Sequence, residues 1–463
     1  MLKQTAALLA LVAFPAATQP LAPAEIAKID QIVTRELAVD QVPSAEIAIV
    51  RDGKIVLSKA YGQANDGLPA RPDLPYQIAS NSKQFTAMAL LLLEDQGKLS
   101  LDDHVSKFLP GISGGDRITI RQLLSHTSGL QDFWPQDYAF AAMLHPTTPQ
   151  GIVDRWAKKP LDFQPGDQWQ YSNTGYVVAG LIAEKVSGEP LVSFLQKRIF
   201  GPLGMTTVRD QDETNTPAYP AGYGRYALGP IRKAASPARG WLYAAGELSM
   251  SAEDLAKWDI ARINRSLIPA DDWDAQETTV KLNDGKDTGY GLGVSVKTSP
   301  RRVVSHTGEA VGFLSSNSVY PAEKAAVVVL TNSWSGGAYT RIARQIAQVI
   351  LPSATPQSAV VQAQATRARA IYDQLRAGKL DRSQLTENAN FYFTPVVIGD
   401  YGSTLGPLGE PTSFEPNGDP ILRGGFVIQG YTIKYPSRSL NLSTFYEPGA
   451  NGRIEQFLVT PAE

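Results

Sequence analysis

A chain of 463 residues with a formal net charge of −2, from 43 basic and 45 acidic side chains, is too long for one ordinary domain. It is also too evenly charged to seek nucleic acid or an anionic membrane. Cysteine is absent, which removes disulfides, thiolate nucleophiles, Cys-ligated metals and a lipid-bearing cysteine.

The first residues, "MLKQTAALLALVAFPAATQP", combine one lysine, a short apolar run and small residues, the pattern of an export signal over residues 1–22. Cleavage is expected between Ala17 and Ala24. A bilayer span needs about 20 apolar residues. Neither this run nor any later one reaches that length, so no stable membrane span is expected. Next, "PAEIAKIDQIVTREL" spaces Ile26, Ile29, Ile32 and Leu37 as a helix. "AEIAIVRDGKIVLSKAYG" reads as two alternating strands joined by Asp52-Gly53, a hairpin. A long section to about Trp258 is mainly helices and loops.

Strands then return as "GYGLGVSV", "RRVVSHTG", "FLSSNSVYP" and "AAVVVLTN", spaced as an antiparallel meander, and "GAYTRIARQIAQVIL" follows as an amphipathic helix. The strands from both ends are expected to join one sheet, with the helical section inserted between them. One domain is therefore expected over residues 23–351. Residues 352–366, low in charge and rich in Pro, Ser, Ala and Gln, read as a linker. Beyond it a helix and four strand-like runs, around Thr412, Phe426, Leu442 and Ile454, predict a small α+β domain over 367–463.

The chemistry concentrates where "YQIASNSKQFTAMALLLL" passes from a short strand into an apolar helix. Ser80 and Lys83 are three residues apart, so near a helix start they share a face, with Cβ atoms roughly 5–6 Å apart. A serine hydroxyl attacks poorly until a base takes its proton. A lysine can be that base if burial lowers its pKa from about 10.4 towards neutrality. The alternative is plain: Ser80 caps the helix and Lys83 snorkels to solvent.

Two further stretches bear on the choice. "QPGDQWQYSNTGY" contains Tyr171 and Asn173; "VVSHTGEAVGF" ends a predicted strand with His306, Thr307 and Gly308. A phenol beside a buried ammonium loses its proton more easily and can shuttle it. An amide can hold both a substrate carbonyl and the lysine. A strand edge ending in Thr-Gly lets a substrate backbone dock alongside.

S-x-x-K, then Y-x-N, then a [KH]-T-G triplet resembles the signature of the penicillin-recognising serine hydrolases. The resemblance is to their branch of class C β-lactamases, D-Ala-D-Ala carboxypeptidases, D-aminopeptidases and family VIII esterases, and it spans about residues 25 to 350. It extends to "GKLSLDDHVSKFLP", "ITIRQLLSHTSGL" and "AAGELSMSAEDLAKW". The resemblance implies an α/β (α+β) fold of the β-lactamase/transpeptidase kind, an antiparallel sheet flanked by helices with a helical insert. It also implies Ser80 as acylated nucleophile, Lys83 as its base, Tyr171 as proton relay, and Asn173, His306, Thr307 and Gly308 as substrate contacts. The oxyanion hole would be the backbone N–H groups of Ser80 and Glu309.

This chain departs from the pattern in two places. Many members carry lysine where His306 stands, which weakens the case for substrates with a carboxylate. Glu309 replaces a residue that is usually small and suggests a preference for amine-bearing substrates. The expected substrate is a small molecule or peptide, cleaved as an amide or ester. A carboxylesterase or β-lactamase of the same fold, and a non-catalytic muropeptide receptor, are the competing readings. No cofactor is implied and no metal motif is present; His104 and His145 lack ligand spacing. His126, with Ser125, Ser128 and Asp132 nearby, invites a Ser-His-Asp triad, but its members would sit too close in sequence. The segment is expected instead to end a helix and wall the cleft.

Overall fold

The computed structural model describes residues 20–136, 138–227, 229–298, 301–351, 359–423, 425–449 and 452–462. Most of the export signal read over 1–22 therefore lies outside the described residues. The chain divides into two compact units, Met1–Leu351 and Pro352–Glu463.

In the first unit, helix α1 (Pro23–Asp40) leads into strands β1 (Ser44–Arg51) and β2 (Lys54–Asn65), with a short β3 (Leu68–Pro69) after them. The turn between β1 and β2 places Asp52 at φ 51° and Gly53 at φ 71°, the double left-handed conformation that a two-residue hairpin turn demands. The insert carries α2 (Lys83–Asp95), α3 (Asn173–Ser187) and α4 (Ala252–Asn264). The chain then returns through β4 (Ser295–Lys297), β5 (Val303–Ala310), β6 (Phe313–Tyr320) and β7 (Ala325–Thr331), and closes on α5 (Ala338–Ile350).

The sheet order among the described residues is β3-β2-β1-β7-β6-β5-β4. The two ends of the unit meet where β1 pairs antiparallel with β7, from Ala45↔Thr331 to Val50↔Ala326. Alternation along β7 sends Val327 and Val329, with Ile47 and Ile49, against Ile29 and Val33 of α1 and Ile342 and Ile346 of α5. Ala326, Val328 and Leu330 face the opposite way, into the larger core with Leu255 and Trp258 of α4. Burial on both faces is why "AAVVVL" reads as an unbroken apolar run.

One strand is shorter than expected. Of "GYGLGVSV", only Ser295 onwards is strand. Gly293 has φ 77°, and a Cβ there would sit 2.7 Å from the Lys83 carbonyl; one on Gly291 would sit 2.2 Å from that of Gln276. The glycines lay this stretch against the insert instead of extending the sheet.

In the second unit, α6 (Ala359–Arg376) begins inside the stretch read as linker, so Ala359–Thr366 is helix. Ala and Gln are strong helix formers, which outweighs the low-complexity look of the segment. Ile371, Tyr372 and Leu375 of α6 share a core with Tyr431, Ile433, Leu442 and Phe457. These come from the antiparallel sheet β8 (Ser413–Arg423), β9 (Phe426–Lys434), β10 (Ser439–Tyr446) and β11 (Ile454–Pro461), in that spatial order.

Candidate active site

Ser80 sits on a single 3₁₀ turn, Ala79–Ser82, that runs straight into α2 at Lys83. Ala79, the residue before it, is held at φ 49°, a left-handed conformation that non-glycine residues enter only under constraint. The sheet supplies the constraint. The Ser315 hydroxyl on β6 donates to the Ile78 carbonyl at 2.8 Å and accepts from the Asn81 side chain at 2.9 Å. Gly308 lies opposite Ser315 on β5. A Cβ on Gly308 would stand 2.0 Å from the Ile78 carbonyl oxygen and 2.3 Å from Ser315 Oγ. The space this glycine provides is filled by the chain's own turn, not left for a substrate backbone.

Lys83 is 0% exposed. Its Nζ lies 2.9 Å from Ser80 Oγ, 2.8 Å from Asn173 Oδ1 and 2.7 Å from the Ala245 carbonyl. Desolvation lowers its pKa to about 7, against a weaker pull upward from the Asp132 carboxylate. As a neutral amine it has two protons, and two partners, Asn173 Oδ1 and Ala245 O, can only accept. The lone pair is left for the Ser80 hydroxyl, so the geometry can draw off the serine proton.

Asn173 opens α3, and Asp132 fixes which way its amide points. The Asp132 carboxylate accepts from Asn173 N at 3.0 Å and from Asn173 Nδ2 at 3.2 Å. The amide oxygen is thereby turned towards Lys83. Burial raises the Asp132 pKa, partly opposed by its backbone donors at Trp134 and Asn173. Asp132 was read from sequence only as a rejected triad member; nothing local signals its role, which exists through Asn173. Replacing it by Asn is expected to slow turnover about tenfold or more, since one acceptor is lost and the Asn173 amide is freed to rotate. Because Asp132 also raises the Lys83 pKa, the acid limb of the pH–rate profile in Asp132→Asn is expected below pH 7. A purely structural defect would leave that limb in place.

Tyr171 completes the group. Its phenol hydrogen-bonds to Ser80, and burial raises its pKa above the ordinary tyrosine value. This corrects the expectation that a nearby ammonium would ease its ionisation: desolvation dominates, and a lysine of pKa about 7 is already neutral in the range where a phenol ionises. Lys83 Nζ stands 4.8 Å from the Tyr171 ring centroid. The same ring also meets His126, with centroids 4.1 Å apart. His126 Nδ1 accepts from Ser172 N at 3.1 Å, while Ser125 Oγ is 2.9 Å from Thr127 Oγ1. Among the described residues no serine hydroxyl is paired with His126, so the triad reading fails and His126 buttresses Tyr171.

On β5, His306 is neutral: burial lowers its pKa to about 4. Its Nδ1–H donates to the Thr307 carbonyl, and its Nε2 lies 2.8 Å from the Tyr290 hydroxyl, which donates to it. Both ring nitrogens are engaged within the protein. Tyr290 comes from the glycine-rich run misread as strand, and sequence gave no sign of it. β4 covers β5 only as far as Ser305↔Ser295, so His306 to Ala310 keep a sheet neighbour on the β6 side alone among the described residues.

Ser80, Asp132, Tyr171, Asn173, His306, Thr307 and Glu309 line one cavity of about 550 Å³. Trp134, Trp169 and Trp334 wall it, and among the described residues no lysine or arginine does. Trp334 Nε1 donates to Glu309. Among the described residues no cluster of His, Cys, Asp or Glu could hold a metal ion, and no helix is long and apolar enough to cross a membrane.

A serine in contact with a lysine whose pKa is lowered to about 7, under an antiparallel sheet with an inserted helical section, defines a serine hydrolase. The chain belongs to the beta-lactamase family, which it matches over residues 29–351. It is 30% identical over 313 residues to a penicillin-binding protein of Bacillus subtilis strain 168, covering 64% of this chain and 68% of that one. A D-stereospecific amidohydrolase from Streptomyces is 29% identical with a TM-score of 0.59, over 68% of this chain and 96% of that one. An octameric penicillin-binding protein homologue from Pyrococcus abyssi shares the fold at 21% identity and a TM-score of 0.63, over 94% of this chain and 99% of that one.

Proposed function

We propose that the chain is an exported amidohydrolase that cleaves amino-acid amides or short peptides carrying a free amine, through an ester on Ser80. The observation that carries this reading is the contact of Lys83 Nζ with Ser80 Oγ at 2.9 Å, with the amine pKa near 7. Lys83 takes the hydroxyl proton as Ser80 Oγ bonds to the carbonyl carbon. The resulting oxyanion is held by the backbone N–H groups of Ser80 and Glu309. The C–N bond then breaks as the leaving nitrogen receives a proton through the Tyr171 hydroxyl, and water releases the acid by the same route in reverse.

The substrate preference follows from charge. With His306 neutral and no lysine or arginine on the cavity wall among the described residues, no permanent cation of the described wall stands ready for a carboxylate. Glu309 and the three tryptophans suit an ammonium instead, by ion pairing and cation–π attraction. The D-stereospecific relative supports amides as the first class to try; activated esters should also react, and β-lactams slowly.

Rates on an aminoacyl p-nitroanilide and on its N-acetylated form test the preference. The free amine is expected to be favoured at least about tenfold, which is the 1.4 kcal/mol of one modest ion pair. In Glu309→Ser that ratio is expected to fall towards one. A wild-type enzyme that does not distinguish the two, or a ratio unchanged by Glu309→Ser, removes the proposal.

A further inference from the structure

A second cavity, of about 410 Å³, shares no lining residue with the catalytic one. Its size falls within the range of about 300–1,000 Å³ usual for small-molecule sites. Gln77 lines it and reaches a smaller cavity alongside. The residue as a whole is 8% exposed, and among the described residues its carboxamide has no hydrogen-bond partner.

Asn65, Asp66, Thr214 and Lys233, which share the cavity wall with Gln77, are engaged within the protein. Asn65 donates to the Tyr219 carbonyl at 2.9 Å and accepts from Lys233 at 2.8 Å. Lys233 also pairs with Asp66 at 2.8 Å. Thr214 Oγ1 donates to the Gln211 carbonyl at 2.9 Å. The carboxamide is not sealed in the core: its polar atoms open onto the two cavities, where a ligand can meet them.

We propose that this cavity binds a neutral peptide segment or primary amide, held by Gln77. A carboxamide presents one acceptor and one donor side by side, and the group that answers both at once is another amide, through two antiparallel hydrogen bonds. Asp66 and Lys233, the charged residues on its described wall, pair with each other, so the wall carries no net charge to favour an ionic ligand. Pro217, Ala221 and Phe313 give the wall an apolar face for a small side chain. Gln77 stands three residues before Ser80, and Phe313 begins β6 beside the hairpin that carries Glu309. A bound amide would thus touch both segments that frame the catalytic cleft without entering it. The inference does not depend on the chemistry assigned to Ser80.

The test is a titration of the full chain with N-acetylalanine methylamide, followed by saturation-transfer NMR and calorimetry. Saturable binding is expected, weakened at least about tenfold in Gln77→Met by the loss of two hydrogen bonds. Gln77→Glu, which keeps length but exchanges the donor for a charge, is expected to lose it similarly. Binding in Ser80→Ala is expected to match wild type. Absence of saturable binding, its retention in both Gln77 variants, or its loss in Ser80→Ala each overturns the proposal. Failure of the acyl-enzyme reading registers separately, as absence of covalent labelling at Ser80.

Discussion

Lys83→Met is expected to lower kcat/KM by about 10⁴-fold, the upper range for a positioned general base, while the protein stays folded. In the wild type the amine is active when neutral. Its pKa of about 7 therefore predicts a rate that rises through pH 7 and levels above it; an ordinary lysine would place that limb near pH 10.4. The same shift acts on stability. Between pH 7 and 10.5 the unfolded chain holds a proton on Lys83 that the folded chain does not, so stability rises with pH across that window, by about 1.4 kcal/mol per unit. It is lost again as pH falls through the folded pKa. Denaturant melts across this window are expected to show the slope in the wild type and not in Lys83→Met. A wild-type limb well above pH 9, or an active Lys83→Met, would remove lysine from the base role.

Gly308→Ala is expected to cost both stability and activity, although it adds one methyl group and touches no reacting atom. The new Cβ would stand 2.0 Å from the Ile78 carbonyl, a backbone atom, and 2.3 Å from Ser315 Oγ. A flexible side chain could turn aside, but the backbone between Ile78 and Ser80 cannot move without carrying the nucleophile with it. Overpacking of this kind costs about 1–3 kcal/mol. A displacement near 1 Å costs about 10²-fold in rate. Thermal melts and kinetics on an activated ester measure the two separately. Wild-type rates in Gly308→Ala would mean that the turn is not held by the sheet as described.

Much of the fold was legible because local pattern and tertiary role agree. Asp52-Gly53 dictated the first hairpin, and the run of valines marked β7 as a strand, though not that both its faces are covered. The failures came where composition and geometry parted. Gly291 and Gly293 sit in an alternating run, yet their missing Cβ atoms serve close packing on the insert rather than a strand. Ala359–Thr366 looked like linker because it lacks charge, though its residues favour helix.

At the site, Ser80 and Lys83 could be paired from spacing because a helical turn fixes their distance. Asn173 and Tyr171 arrived by resemblance, and the structure brings both to Lys83 and Ser80. Asp132 and Tyr290 could not be read in advance: each acts through a partner distant in sequence, and a single polar residue on a loop carries no periodic signal. The sign of the Tyr171 shift was also beyond sequence, since it depends on whether desolvation or a nearby charge dominates.

The most direct measurement is intact-mass labelling with a fluorophosphonate, followed as a function of pH. One adduct on Ser80 is expected, forming along a limb centred near pH 7, absent in Ser80→Ala and about 10³-fold or more slower in Lys83→Met. Equal labelling of Ser80→Ala, or a Lys83→Met protein that reacts as fast as wild type, would contradict the account.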